Sequence, residues 1–397
     1  MALRVLIPSL LKTGPGSSAQ LPQLLKSLNL KKPFIVADPY LTAGNKIKHI
    51  LAALEAENLK YTLFDKVQPD PTTISINDAL ELYKQEVPNQ RCDCAVGIGG
   101  GSAIDSAKAL SVLIHAAESG LKLRDCKVPT EAKAAIPIFA IPTTAGTGSE
   151  ATRVTVISDT ETHEKMLLGG EALLPTGALV DYELTMTKPF RLTADTGIDA
   201  LCHAMEAYVS RRNNLASDAL ALAAMQSIPQ MLPRACIDPN DRAAREALML
   251  ASTRAGAAFS NSSVTLIHGM SRPFGVHFGI PHGMSNAMLL PLVTSFSISG
   301  NPERYADCAR AMGFAGCNDT TQLACEKLVE RLTEFTRNLE VPTLQEFGVS
   351  RDRFFELVPQ MSVQAIASGS PANNPVVPSE EQVCLLYERV WVSGEVP

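Results

Sequence analysis

Asp199-Ala-Leu-Cys-His203 places a carboxylate and an imidazole four residues apart, the interval that puts two side chains on one face of a helix. Farther along, His268 and His282 flank a segment that carries Gly269, Pro273, Gly275, Gly279 and Pro281. One carboxylate and three imidazoles suit a divalent first-row metal, Fe2+ or Zn2+. Such an ion polarises a carbonyl oxygen and lowers the pKa of a bound alcohol, as hydride transfer requires. An isolated Asp/His pair at this interval is more often a surface pair or a helix cap. Here three of only seven histidines fall in the pattern, which favours the ligand reading.

Two glycine-bearing segments offer a second chemistry. Ile98-Gly-Gly-Gly-Ser-Ala-Ile-Asp-Ser-Ala-Lys108 reads as a strand running into a helix. Gly99, Gly100 and Gly101 let the backbone approach a pyrophosphate, and the helix start supplies unpaired N–H groups and a partial positive charge. Ser102 is expected to cap that helix, with Asp105 three residues later in a capping-box arrangement. Residues 141–150 follow another apolar run, and Thr143, Thr144, Thr147 and Ser149 present hydroxyls for phosphate or ribose oxygens. Either segment alone reads equally well as a tight turn or a polar loop. Two of them at the ends of successive parallel strands mark the crevice where open α/β sheets bind ligands. Asp38 ends an earlier strand, a place where an acid accepts ribose hydroxyls and repels a 2′-phosphate. Its plainer reading is a cap for the next helix.

The elements that must position these groups show in the hydrophobic pattern. Apolar runs at 34–37, 61–64, 95–98 and 136–141 alternate with helical patterns to Glu57, over 74–86 and over 104–117. Residues 154–157 and 178–180 read as further strands closing this half. The rhythm predicts a parallel sheet with helices on both faces. After Pro189, apolar residues recur at three- and four-residue spacing over 199–210, 216–231, 243–258, 302–311 and 322–339, and no strand is evident. The expected fold class is therefore α/β plus all-α. Residues 1–187 form an α/β dinucleotide-binding domain, and residues 188–397 form an all-helical metal-binding domain.

Bulk properties narrow the function classes. A chain of 397 residues is long for one core. A net charge of -6 without a Lys/Arg cluster gives no sign of a nucleic-acid partner. Nine irregularly spaced cysteines argue for reduced thiols, not a disulfide framework. Residues 1–12 hold only a short apolar stretch and no cleavage site, and no run approaches the roughly 18 apolar residues of a membrane span. The cytosol is the expected compartment.

Taken in order, Gly14-Pro-Gly16, Asp38, residues 99–108, 142–150 and 199–206, Phe259-Ser-Asn261, residues 268–282 and Asn374-Pro375 resemble the iron-containing (group III) alcohol dehydrogenases. That family includes lactaldehyde reductases and propanediol and butanol dehydrogenases. The resemblance implies a dinucleotide-binding α/β domain followed by a helical domain, as in dehydroquinate synthase, with the active site in the cleft. By position it implies Asp199, His203, His268 and His282 as metal ligands. It implies Asp38, Gly99, Gly100, Gly101, Ser102, Thr143, Thr144, Thr147, Thr152 and Lys165 as contacts to NAD, with Asp105 counted beside them. Phe259, Val154 and Val264 match positions that line the substrate pocket. The implied activity is hydride transfer between NAD(H) and a small primary alcohol or diol, or its aldehyde. The implied metal is Fe2+, with Zn2+ as the second option, in a homo-oligomer.

Two departures bear on mechanism. Arg272 stands where the family often has a histidine near the nicotinamide that relays a proton, and His277 stands where relatives carry an aromatic residue. Arg272 stays protonated, so His277 is expected to carry the proton; its other reading is filling space. Phe259, Arg272 and His277 are thus the candidate catalytic residues. Val264-Thr265 replaces Leu-Gly before the third ligand, which predicts a pocket of different shape and polarity. The alternatives are a dehydroquinate synthase-like lyase that uses NAD and a metal, or an inactive structural relative. The lyases use a Glu/His/His set and many basic residues for a phosphorylated substrate. Asp199 as first ligand, and no basic neighbour beyond Arg272, argue against them.

Overall fold

The computed structural model describes residues 4–85, 91–118, 122–127, 136–162 and 165–393. Glu86, the expected end of one helix, and the first three residues of the chain lie outside these. The chain divides into two compact units, Met1–Thr187 and Lys188–Pro397.

The first unit holds strands β1 (Leu10–Thr13), β2 (Pro33–Ala37), β3 (Thr62–Phe64), β4 (Cys94–Gly99), β5 (Ile138–Pro142), β6 (Val154–Ser158), β7 (Lys165–Gly169) and β8 (Gly177–Val180). Its helices are α1 (Leu21–Ser27), α2 (Pro39–Ala43), α3 (Lys48–Ala56), α4 (Thr73–Lys84) and α5 (Gly101–Glu118). Six strands form one sheet in the order β1-β8-β5-β4-β2-β3, and every pairing in it is parallel. Alternation along β2 explains why both faces are covered. Phe34 and Val36 enter the core shared with α4 and α5, while Ile35 and Ala37 enter the core shared with α1 and α3. From β2 the chain moves outward to β3, then returns to the other side of β2 to form β4. The β2/β4 boundary is therefore the topological switch point, where ligands bind beyond the strands' carboxyl ends.

Two expectations are corrected here, and one strand is added. Residues 154–158 do not extend the sheet but pair antiparallel with β7 in a separate ribbon. Only one ribbon face packs on the core, through Ile157, Met166 and Leu168. The helical stretch to Glu57 is two helices, broken at Gly44 and at Asn45, whose φ is 54°. The edge strand β1 was not expected, because its four residues alternate only from half-buried to exposed and give little apolar signal.

The second unit is helical throughout its described residues: α6 (Phe190–Val209), α7 (Leu215–Ile237), α8 (Arg242–Asn261), α9 (Leu266–Phe278), α10 (His282–Ser297), α11 (Pro302–Ala311), α12 (Thr321–Asn338), α13 (Arg351–Ala367) and α14 (Glu380–Ser393). Most of the glycine- and proline-bearing segment after His268 is helical and belongs to α9. An interior proline costs a helix about 3 kcal/mol, and packing outweighs that cost here. Phe274 packs on Phe354 and Tyr387, and the Tyr387 hydroxyl donates to the Met270 carbonyl at 2.7 Å. Helix α6 is buried along most of its length and packs against α7, α8 and α10. A Cβ on Gly283 would lie 2.4 Å from the Asp195 carbonyl oxygen, so only glycine lets the start of α10 come this close to α6.

Candidate functional site

The close approach at Gly283 sets His282, the first residue of α10, beside Asp199 and His203 on α6. His268 joins them from the first turn of α9. Asp199 Oδ1 lies 3.9 Å from His203 Nε2, 3.5 Å from His268 Nε2 and 3.7 Å from His282 Nε2. All four ligand atoms fall within 4.8 Å of one another. A tetrahedral ion with ligands at about 2.1 Å has edges of roughly 3.4 Å, so a cluster this size suits an Fe2+ or Zn2+ ion. Asp199, His203 and His268 are buried, while the His282 side chain is 46% exposed, which leaves one side of the cluster open. Phe259 stacks on His203 with ring centroids 4.3 Å apart.

The electrostatics of the cluster call for positive charge. Burial pushes the Asp199 carboxyl up, but the imidazoles of His203, His282 and His268 together hold it well below the ordinary range. Burial disfavours charge on His268, yet Glu206 and Asp199 push its pKa up to about 9. A divalent ion supplies the charge that the proton otherwise brings.

Glu206 carries no role in the sequence reading, although it follows His203 by three residues on α6. Its Oε1 accepts from the Thr265 hydroxyl at 2.8 Å and from the amides of Ile267 at 2.8 Å and His268 at 3.3 Å. Its Oε2 is hydrogen-bonded to His268 Nδ1. The carboxylate thus serves the first-turn donors of α9, and it holds the His268 proton on Nδ1 so that Nε2 faces the cluster with a free lone pair. Burial raises the Glu206 carboxyl, and the His268 charge and these bonds more than reverse that, leaving it lowered. Asn286, four residues after His282, was also missed; its Nδ2 donates to Asp199 Oδ1 at 2.6 Å. The substituted Thr265 turns its hydroxyl onto Glu206, while Val264 is half-buried between α8 and α9.

Arg272 lies one turn after His268 on α9 and is half-buried. The structure does not bring His277 into the cluster. Nine residues beyond His268 it lies about half a turn around the helix and roughly 13 Å along it. Its Nε2 meets Gln364 Oε1 at 2.8 Å.

In the first unit, the expected nucleotide contacts gather at the switch point. Asp38 caps α2 by accepting from the Leu41 amide at 3.0 Å, and its other oxygen, Oδ2, lies 3.5 Å from where a Cβ on Gly99 would sit. That same Cβ would lie 2.7 Å from Ala103 Cβ, so the position requires glycine. The Thr144 and Thr147 side chains lie beside Gly100 and Gly101. The Thr143 amide bonds the Gly99 carbonyl at 2.9 Å, and its buried Oγ1 has no partner among the described residues. A glycine cradle with an unpartnered hydroxyl fits a dinucleotide.

Other expected contacts are engaged elsewhere. Ser102 is the second residue of α5, not its cap, and Asp105 does not reach back to it; Asp105 accepts from the Val156 amide at 2.9 Å and ties α5 to β6. Thr152 Oγ1 accepts from Lys108 Nζ at 2.9 Å and donates to the Ser149 carbonyl. Lys165 pairs with Asp70 at 3.0 Å. Val154 lies in β6, half-buried, and its carbonyl accepts from Lys108 at 2.9 Å. Lys108 is fully buried, and burial lowers its pKa to about 8 against the opposing pull of Asp105 and Glu150.

A parallel sheet with a dinucleotide cradle at its switch point, and a helical unit with a largely buried Asp/His3 cluster, define a protein built to bind a dinucleotide and a divalent metal. Known proteins match in both halves. Residues 8–182 fit the iron-containing alcohol dehydrogenase model, and residues 193–391 fit the C-terminal model of the Fe-containing alcohol dehydrogenase family. The chain is 34% identical over 385 residues to the NAD-dependent methanol dehydrogenase of Bacillus methanolicus, covering 96% of this chain and 98% of that one. It is 32% identical over 389 residues to the 1,3-propanediol dehydrogenase of Klebsiella pneumoniae, covering 97% and 98%. A solved 1,3-propanediol oxidoreductase superposes with a TM-score of 0.92 at 31% identity, covering 98% of this chain and all of that one. The chain belongs to the iron-containing alcohol dehydrogenase family. It is an alcohol dehydrogenase of a family that uses NAD(H) and iron, and the lyase alternative is not favoured. Among the described residues, no helix is long and apolar enough to cross a membrane.

Proposed function

We propose that Asp199, His203, His268 and His282 hold the catalytic ion, and that Asp38, Gly99, Gly100, Gly101, Thr143, Thr144 and Thr147 hold NAD. The observation that supports this most is the convergence of four ligand atoms within 4.8 Å, with Glu206 orienting one of them. When bound, the ion supplies a Lewis acid that polarises the carbonyl and favours loss of the alcohol proton. In oxidation, a hydride leaves the alcohol carbon for the nicotinamide ring and the hydroxyl proton passes to solvent, so NAD, alcohol and their products balance. Phe259 covers one face of His203. Asp38 accepts ribose hydroxyls and repels a 2′-phosphate, giving a preference for NAD. With His277 bonded to Gln364, water or a ribose hydroxyl is the better proton route.

We further read the enzyme as a cytosolic homo-oligomer. The eight cysteines whose side chains are described form no disulfide with one another, and the edge strand β1 exposes Leu11 at 47%. The test of the proposal is NADH absorbance at 340 nm with a panel of small alcohols and aldehydes, before and after chelation and anaerobic return of Fe2+. Turnover that falls on chelation and returns with the ion is expected. Undiminished turnover in metal-free protein would overturn the proposal.

A further inference from the structure

Resting on the dehydrogenase reading above, we propose that Arg272 is an anion-binding subsite beside the metal cluster, and that the preferred alcohol or aldehyde carries a carboxylate. Arg272 is four residues beyond His268 on α9, which puts it on the same side of the helix, roughly 6 Å along the axis.

The guanidinium differs from those of Arg191, Arg245 and Arg304, which are drawn into the same unit and bonded there. Arg191 bonds Asp195 and the carbonyls of Leu339 and Glu340. Arg245 bonds Thr193 and the Pro239 carbonyl, and Arg304 bonds Asp218 and the Tyr208 carbonyl. Arg272 makes no hydrogen bond and no ion pair with any described residue. Its nitrogens are absent from the sealed, unpartnered atoms of the interior, so solvent reaches them.

Glu206 is the acid near enough to act on Arg272 electrostatically, but it is already committed. Its Oε1 takes three donors and its Oε2 takes His268 Nδ1. Partial burial takes some of the water from this guanidinium without a partner among the described residues to replace it, and it pushes the pKa down. A planar fork of five donors finds its best partner in a carboxylate, which it binds bidentately. A substrate whose hydroxyl or carbonyl lies at the cluster and whose carboxylate lies one helical turn away satisfies both groups. Short ω-hydroxy acids and their semialdehydes are of that class. The bound carboxylate takes no part in hydride transfer; it adds binding and orientation.

The source of the anion is separable by experiment, because a cofactor phosphate would serve every substrate equally. Reduction of butanal and of 4-oxobutanoate by NADH is compared in wild type, Arg272→Lys and Arg272→Gln, each metal-loaded. The NADH dissociation constant is measured in parallel by fluorescence. We expect wild type to prefer 4-oxobutanoate in kcat/KM. Arg272→Gln should lose roughly 10- to 100-fold more on 4-oxobutanoate than on butanal, mainly in KM, the scale of a lost charge-assisted bond. Arg272→Lys should fall between, since it keeps the charge without the fork. The NADH constant should move less than threefold.

Equal losses on both aldehydes with weakened NADH binding would assign Arg272 to the cofactor and overturn the subsite. A wild type that favours butanal would overturn it as well. A wild type that reduces neither aldehyde, nor any other in the panel, would overturn the dehydrogenase reading first and the subsite with it.

Discussion

Replacing Glu206 by Gln keeps the side chain's volume and removes its charge and its acceptor-only character. In the native site Oε1 receives the Thr265 hydroxyl and the Ile267 and His268 amides, and Oε2 faces His268 Nδ1. A glutamine that leaves its carbonyl oxygen where three donors converge must turn its NH2 group toward Nδ1. Nδ1 then has to accept, and the ring proton moves to Nε2, the atom that faces Asp199 at 3.5 Å. The flipped amide is no better, because its NH2 group meets three donors. A charge-assisted hydrogen bond is worth about 1.5–3 kcal/mol, and loss of such an outer partner costs metal sites roughly 10- to 100-fold in affinity. We therefore expect Glu206→Gln to weaken metal binding by about 10- to 100-fold while the helical content is retained. The assay strips the protein with a chelator and titrates Zn2+ back against a chromophoric competitor, with circular dichroism on the same samples. A folded variant that binds the ion within about threefold of wild type would show that the carboxylate does not set the tautomer of His268.

The remaining predictions concern three other groups. Asp38→Gly should narrow the preference for NAD over NADP, read as the ratio of kcat/KM for the two cofactors; a wild type that works better with NADP contradicts the role given to Asp38. His277→Phe should keep its metal, its oxidation rate within about threefold and its pH profile, whereas a proton relay through His277 would cost roughly 10²-fold or more. For Lys108, the native pKa of about 8 lies below the ordinary value near 10.4, so between these limits the unfolded chain holds more protons than the native one. This residue therefore penalises folding fully below pH 8, and the penalty is relieved as pH rises toward 10.4. Urea unfolding at pH 7.5 and 9.5 should show this contribution, on the order of 1–2 kcal/mol, in wild type and not in Lys108→Met. An identical pH dependence in both proteins would refute it.

The clustering of Asp199, His203, His268 and His282 was legible because each announces its chemistry by residue type, and because one helical turn separates Asp199 from His203. The sheet was legible because strands such as 34–37 and 95–98 are buried on both faces and read as unbroken apolar runs. Glu206 was not, since its role depends on the contact between α6 and α9, which no spacing within either helix reveals. Helix α9 was hidden by Gly269, Pro273 and Gly275, whose local cost is outweighed by the packing of Phe274 and Tyr387. The ribbon of β6 and β7 was misplaced because alternation identifies a strand but not its partner. Thr152 and Lys165, which the resemblance implies as NAD contacts, are bonded here to Lys108 and Asp70, and no spacing in the sequence reveals those partners. Arg272 was visible as a departure from the family's histidine, but only three dimensions show that it lacks a partner among the described residues.

The central claim is that one ion, held by Asp199, His203, His268 and His282, makes alcohol oxidation by NAD possible. Metal content per chain and NADH formation should be measured together on wild type and His268→Ala, both purified anaerobically and supplied with Fe2+. The account predicts close to one ion per chain and turnover for wild type. It predicts loss of most of the ion and nearly all turnover in the variant, with native circular dichroism. Full occupancy with undiminished turnover in His268→Ala would contradict it.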